Sequence, residues 1–220
     1  HNYDLIAHPP STYAQEKLKY GQRAKLAKTF ISNNSLNEFF QGEIEEIGLI
    51  VQGGLYNNLI AALKEMNMSD SLGNTKISIY VLNIVHPLIP DEVISYAKKF
   101  KALLVIEEGQ LQYIEQELGL LFHKEKIEVS LAGKDVLPMA GEYTSEVIHK
   151  GVFNFIKKYI PDFSNFSNLD YNTEIDQLRE KVSSSLGEVI PPRPPGFCTG
   201  CPERPFFSAL KMIEKDTGKI

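Results

Sequence analysis

Apolar positions along this chain follow two alternating patterns. Short apolar runs recur at Ile47-Gly-Leu-Ile-Val51, Ile77-Ser-Ile-Tyr-Val-Leu-Asn-Ile84, Ala102-Leu-Leu-Val-Ile106 and Ile127-Glu-Val-Ser-Leu131, and each reads as a buried strand. Between and after them, helices are predicted over Leu55 to Met66, up to Phe100, over Gln110 to Phe122 and over Tyr143 to about Tyr159. Pro87 and Pro90 flank the turn before the second of these, and Asp91-Glu92 suit the first turn of a helix. The resulting β-α-β-α-β-α-β-α order predicts an α/β fold, a mostly parallel sheet of about five strands with helices on both faces.

The flanks differ from this core. From Pro10 to about Asn33 the pattern is helical and charged, with Ser11 as the expected N-cap and Tyr13, Leu18, Leu26 and Phe30 among the apolar positions. Residues 161–172 are rich in Ser, Asn and Asp and read as a linker. A helix over Thr173 to Leu186 follows, then a proline-rich loop and a helical run from Phe206 to Lys215. The expected organisation is an N-terminal helical segment (1–40), an α/β domain (41–160), a linker and helix (161–190) and the start of a further domain (191–220).

Composition narrows the function. A formal net charge of −5 with no Lys/Arg block argues against a nucleic-acid surface. No stretch approaches the roughly 20 apolar residues that span a bilayer, and no signal peptide is visible at the start. Two cysteines three positions apart are too few for a disulfide framework and suit a reducing cytoplasm. There is no initiator Met, so the chain is expected to be a piece of something longer or to carry a tag remnant.

Most of the chemistry signal is in Pro194-Pro-Gly-Phe-Cys-Thr-Gly-Cys-Pro-Glu-Arg-Pro205. Prolines and glycines make this a stiff, shaped loop, and the two-residue spacing lets Cys198 and Cys201 point at one centre. Two thiolates on one tight loop look like half of a cluster or zinc site, whose remainder is expected beyond Ile220 or on another chain; a pair with no ligand role is the alternative. A redox dithiol is the further reading, weakened because the pair follows a proline-rich loop rather than a strand of a small βαβ domain. Gln52-Gly53-Gly54 lies between strand and helix, where an anion is favoured, yet it is neither G-x-G-x-x-G nor a Walker loop and reads as a tight turn. Glu107-Glu108 ends the third strand, at the sheet edge where open α/β folds bind ligands or meet neighbours, and both are interface candidates. His86 occupies the same edge and reads as a surface histidine. Gly133-Lys134 and Gly141-Glu142 read as turn and helix-start chemistry. No nucleophile motif or H-E-x-x-H is present, so no catalytic residue is assigned.

Arg193-Pro-Pro-Gly-Phe-Cys-Thr-Gly-Cys-Pro202 resembles the R-P-P-x-x-C-x-G-C-P signature that opens the thiamine-diphosphate domain of indolepyruvate:ferredoxin oxidoreductase alpha subunits. Val51-Gln-Gly-Gly-Leu-Tyr-Asn57, Leu103-Leu-Val-Ile-Glu-Glu-Gly-Gln110 and Gly133-Lys-Asp-Val-Leu-Pro-Met-Ala-Gly-Glu-Tyr-Thr144 are similar to that family's transketolase-C-terminal-like middle domain, in the same order. The resemblance implies a cytoplasmic 2-oxoacid oxidoreductase that uses thiamine diphosphate, Mg²⁺ and [4Fe–4S] clusters. It further implies coenzyme A and a 2-oxoacid as substrates, ferredoxin as acceptor and a smaller partner subunit. Cys198 and Cys201 would be metal ligands, and Gly200, Pro202 and Glu203 would lie at the cofactor. Many members read Cys-Pro-His-Arg where this chain has Cys201-Pro-Glu-Arg204, so Glu203 replaces a histidine. The Gly-Asp-Gly…Asn stretch that holds Mg²⁺ and diphosphate is missing from these residues. By themselves they are expected to form an inactive scaffold that binds no cofactor and depends on the remaining domains. Two alternatives stand beside this: a piece of a pyruvate or 2-oxoglutarate oxidoreductase, and a zinc- or cluster-dependent interaction module paired across a dimer.

Overall fold

A computed structural model describes residues 7–70, 72–163, 171–187 and 203–218. Its centre is a five-stranded sheet in the order β1-β3-β2-β4-β5, formed by β1 (Glu38–Phe40), β2 (Ile44–Gln52), β3 (Ile77–Leu82), β4 (Ala102–Ile106) and β5 (Ser130–Ala132). β2, β3, β4 and β5 run parallel, and β1 joins the β3 edge antiparallel. The expected α/β class is therefore observed.

Every residue of β3 and β4 is buried, the pattern of strands covered on both faces. Side chains divide by parity along each strand. Leu49, Val51, Leu104 and Ile106 enter one core beneath α3 (Tyr56–Glu65) and α6 (Ser145–Tyr159). Ile50, Leu103 and Val105 enter the other, beneath α4 (Pro90–Ala97) and α5 (Tyr113–Glu125). The helices match this with apolar stripes at helical spacing, Leu59, Ala62 and Leu63 on α3 and Ile114, Leu118 and Phe122 on α5. Gly48 is required by close approach, since a Cβ there would lie within 3 Å of Tyr96 Oη, Leu103 and Phe100. The Tyr96 hydroxyl bonds to the backbone of both Leu49 and Ser78, which ties α4 to β2 and β3.

Several sequence readings shift. β1 was not among the four strands located by pattern. It is three residues long with two of them exposed, so it carries no apolar run, and it is held by pairing and by Phe39 stacking on Tyr80 at 4.3 Å. The last strand lies at Ser130–Ala132 rather than Ile127 to Leu131. Ser11 is the first helical residue rather than the N-cap; Pro10 holds that position and no side chain caps the end. The N-terminal helix comprises α1 (Ser11–Leu18) and α2 (Ala24–Asn33), joined through a π-helical turn at Lys19–Arg23.

The chain divides into two units, 1–174 and 175–220. Beyond α6 lie α7 (Tyr171–Leu186) and α8 (Arg204–Thr217). On α8, Phe206, Phe207, Met212 and Ile213 are exposed.

Candidate functional site

The sheet order places a strand-order reversal at β2. After β2 the chain enters α3 on one face, and after β4 it enters α5 on the other, so the connections diverge above the gap between these two strands. In open α/β sheets this divergence at the carboxyl edge forms the usual ligand crevice. Here Gln52 and Glu108 meet across it, the Glu108 N–H donating to Gln52 Oε1 at 2.8 Å. Beside them lies a crevice of about 360 Å³ lined by Gln52, Gly53, Gly54, Leu82, Asn83 and Glu108 among others.

The two adjacent carboxylates do different work. Glu107 is buried, and its carboxylate accepts the Ile114 N–H at 3.0 Å and the Glu115 N–H at 3.2 Å. It thus satisfies the free amides at the start of α5, where Gln112 at the N-cap position offers no side-chain bond. Glu108 is exposed and accepts the Tyr143 N–H.

Lys134 joins these elements. Its Nζ donates to the Glu107 carbonyl at 2.6 Å and the Tyr143 hydroxyl at 2.7 Å, and lies 4.5 Å from the Tyr143 ring centroid. Its backbone N–H donates to Glu115 Oε2 at 3.0 Å. The Tyr143 hydroxyl in turn donates to the Pro138 carbonyl, and Asn58 Nδ2 donates to the Tyr143 carbonyl at 3.0 Å. Glycine at 133 leaves room for the Glu115 carboxylate, which a Cβ there would displace from the Lys134 N–H. Burial lowers the Lys134 pKa despite the opposing pull of Glu107, Glu115 and Glu108. Burial, then the same three carboxylates, pushes Tyr143 up to about 12. At the start of the loop, Asp135 accepts the Gly133 N–H at 2.8 Å and a bond from Lys158 Nζ at 2.9 Å. Burial works against the Asp135 charge, but these donors bring its pKa below the usual value.

In chemical terms this edge is a lock: it ties residues 133–144 to the end of β4 and the start of α5. Among the described residues no group of three or more His, Cys, Asp and Glu is placed to hold a metal ion. Sequence reasoning had singled out Glu107 and Glu108 but not the roles of Lys134, Tyr143 and Glu115. Gly133-Lys134 and Tyr143 belong to one of the quoted family-like stretches, which was the available signal. His86 is exposed, 3.9 Å from Glu117. Cys198, Gly200, Cys201 and Pro202 lie outside the described residues. Glu203 is exposed, stands at the N-cap position of α8 and makes no side-chain capping bond.

No family model matches the chain. Among curated proteins, the indolepyruvate oxidoreductase subunit IorA of Pyrococcus abyssi is 27% identical over 180 residues, covering 81% of this chain and 25% of that protein. IorA of Methanothermobacter marburgensis is 21% identical over 212 residues, 95% of this chain and 30% of its own length. The chain is thus distantly similar to the IorA subunits. It spans between a quarter and a third of the length of these IorA proteins. Two solved structures are also similar. A 2-oxoglutarate:ferredoxin oxidoreductase from Magnetococcus marinus has a TM-score of 0.41 at 16% identity, covering 69% of this chain and 24% of that one. A split-gene transketolase has a TM-score of 0.39 at 15% identity, covering 56% of this chain and 42% of that one. Among the described residues no helix is long and apolar enough to cross a membrane.

Proposed function

We propose that this chain is part of the alpha-type subunit of a cytoplasmic indolepyruvate:ferredoxin oxidoreductase. The observation that carries the reading is the likeness to IorA subunits over 81–95% of the chain, joined to the Cys198/Cys201 loop signature. In this reading the 220 residues act as a scaffold. The remaining domains, a smaller partner subunit, coenzyme A and ferredoxin complete the enzyme. Bound in the complete enzyme, thiamine diphosphate with Mg²⁺ would supply an electron sink for decarboxylation of the 2-oxoacid, and [4Fe–4S] clusters an electron path.

The donor chemistry of Cys198 and Cys201 suits half of a cluster or zinc site, two thiolates that need other ligands to complete four. Glu203, Gly200 and Pro202 keep their proposed place near the cofactor on the strength of the loop resemblance alone. Glu107 and Glu108 support a domain-facing role for the sheet edge indirectly, by holding the loop 133–144 in one shape. Such a fixed edge is what a catalytic domain packed against it would need.

The test is turnover. The complete gene product, copurified with its partner subunit, is expected to reduce a viologen dye when given indolepyruvate and coenzyme A, while the 220-residue chain alone does not. Turnover of pyruvate or 2-oxoglutarate in preference would move the enzyme to a sister branch. Stoichiometric zinc at one per dimer of the purified chain, with no turnover by the complete protein, would replace the reading by an interaction module.

A further inference from the structure

The helix over residues 11–33 is at odds with the rest of the unit. Its one buried residue is Ile31, in the last turn. Tyr13 is 70% exposed, Tyr20 65%, Leu26 61% and Phe30 62%. A helix of this length draws most of its stability from burying apolar side chains, and large ones left exposed along it mark an interaction surface. Its charge is equally one-sided. Lys17, Lys19, Arg23, Lys25 and Lys28 face a single acid, Glu16, on a chain whose net charge is −5. Where the π-helical turn passes the β3–α4 connection, Lys19, Tyr20, Arg23 and Leu26 line an open groove of about 750 Å³ with His86 and Pro87.

We infer that this helix and the groove at His86–Pro87 form a docking face for an acidic protein surface with apolar side chains, belonging to the part of the oxidoreductase outside these 220 residues. The inference rests on the proposed function for where the partner resides, and on charge complementarity for its chemistry. The matched IorA subunits are more than three times as long as the aligned region, since it covers 25–30% of them, so ample partner chain exists in that architecture. Aromatic rings at 13, 20 and 30 would supply the apolar anchors, and Lys19 and Arg23 the orientation.

Hydrogen–deuterium exchange decides it. Amides of residues 11–33 and 84–88 are expected to exchange at least about tenfold more slowly in the complete protein than in the 220-residue chain. The double variant Lys19→Glu/Arg23→Glu in the complete protein is expected to return them to the fast rate. The same substitutions in the 220-residue chain should leave its helical circular dichroism unchanged. Equal exchange in both proteins overturns the inference, and so does protection that survives the charge reversal. Protection of the complete protein only on adding phosphatidylserine vesicles overturns it in favour of a membrane surface. Indolepyruvate turnover on the same sample separates the two claims: turnover with a fast-exchanging helix sinks the docking face alone, and protection without turnover sinks the catalytic assignment alone.

Discussion

The carboxyl edge of the sheet and the N-terminal helix treat their exposed chemistry in opposite ways. At the edge, Glu107, Glu108, Glu115, Lys134 and Tyr143 spend their hydrogen-bonding capacity on one another and on the backbone. On the helix, large apolar side chains and the cations Lys17, Lys19, Arg23 and Lys25 are exposed. The difference shows that ionisable residues clustered at a strand end need not be chemistry, and that a surface unsatisfied by its own fold is the better mark of a partner.

Substitutions can break this contrast, and the largest effect is expected at Lys134. Lys134→Met leaves the Glu107 carbonyl without its donor and three carboxylates without a nearby cation, which should cost about 1–3 kcal/mol in urea denaturation. A change below the experimental error would show that the lock is not a source of stability. Glu107→Gln keeps the shape but removes the charge at the start of α5, and a loss of about 0.5–2 kcal/mol is expected in the same measurement. A Glu107→Gln chain as stable as the parent would return this carboxylate to the pool of free interface groups.

The pH response sharpens the contrast further. The Tyr143 pKa is raised to about 12 in the fold against about 10 unfolded. The folded chain therefore holds a proton that the unfolded chain has lost, and this contribution to stability declines as pH rises between those values. Lys134 runs the other way. Its lowered folded pKa makes the charged form a burden below the unfolded value, relieved as pH rises toward it. Phenolate absorbance of the Tyr143→Phe difference spectrum should show the late tyrosine, and a midpoint near 10 would contradict the buried, carboxylate-ringed setting. The smallest effect belongs to the helix. Leu26→Ala and Phe30→Ala should each change the stability of the 220-residue chain by no more than about 0.5 kcal/mol, because little is packed around either side chain. A larger loss would mean that the helix already has its partner within this chain.

Hydrophobic periodicity alone determined the parallel core. Strands buried on both faces, such as β3 and β4, are predominantly apolar, so each left an apolar run, broken in β3 only by Ser78, and each covering helix left a stripe at helical spacing. The similarity to IorA was legible for a different reason, since the Arg193–Pro202 signature sets particular residue types at particular offsets. Only the tertiary structure decided the rest. β1 belongs to the sheet through pairing with β3, which no local pattern of three half-exposed residues records. Glu107 became a cap for α5 and Lys134 a pin because chain folding brings residues 107, 115, 134 and 143 together, and hydrogen bonds between distant segments leave no periodic trace in sequence.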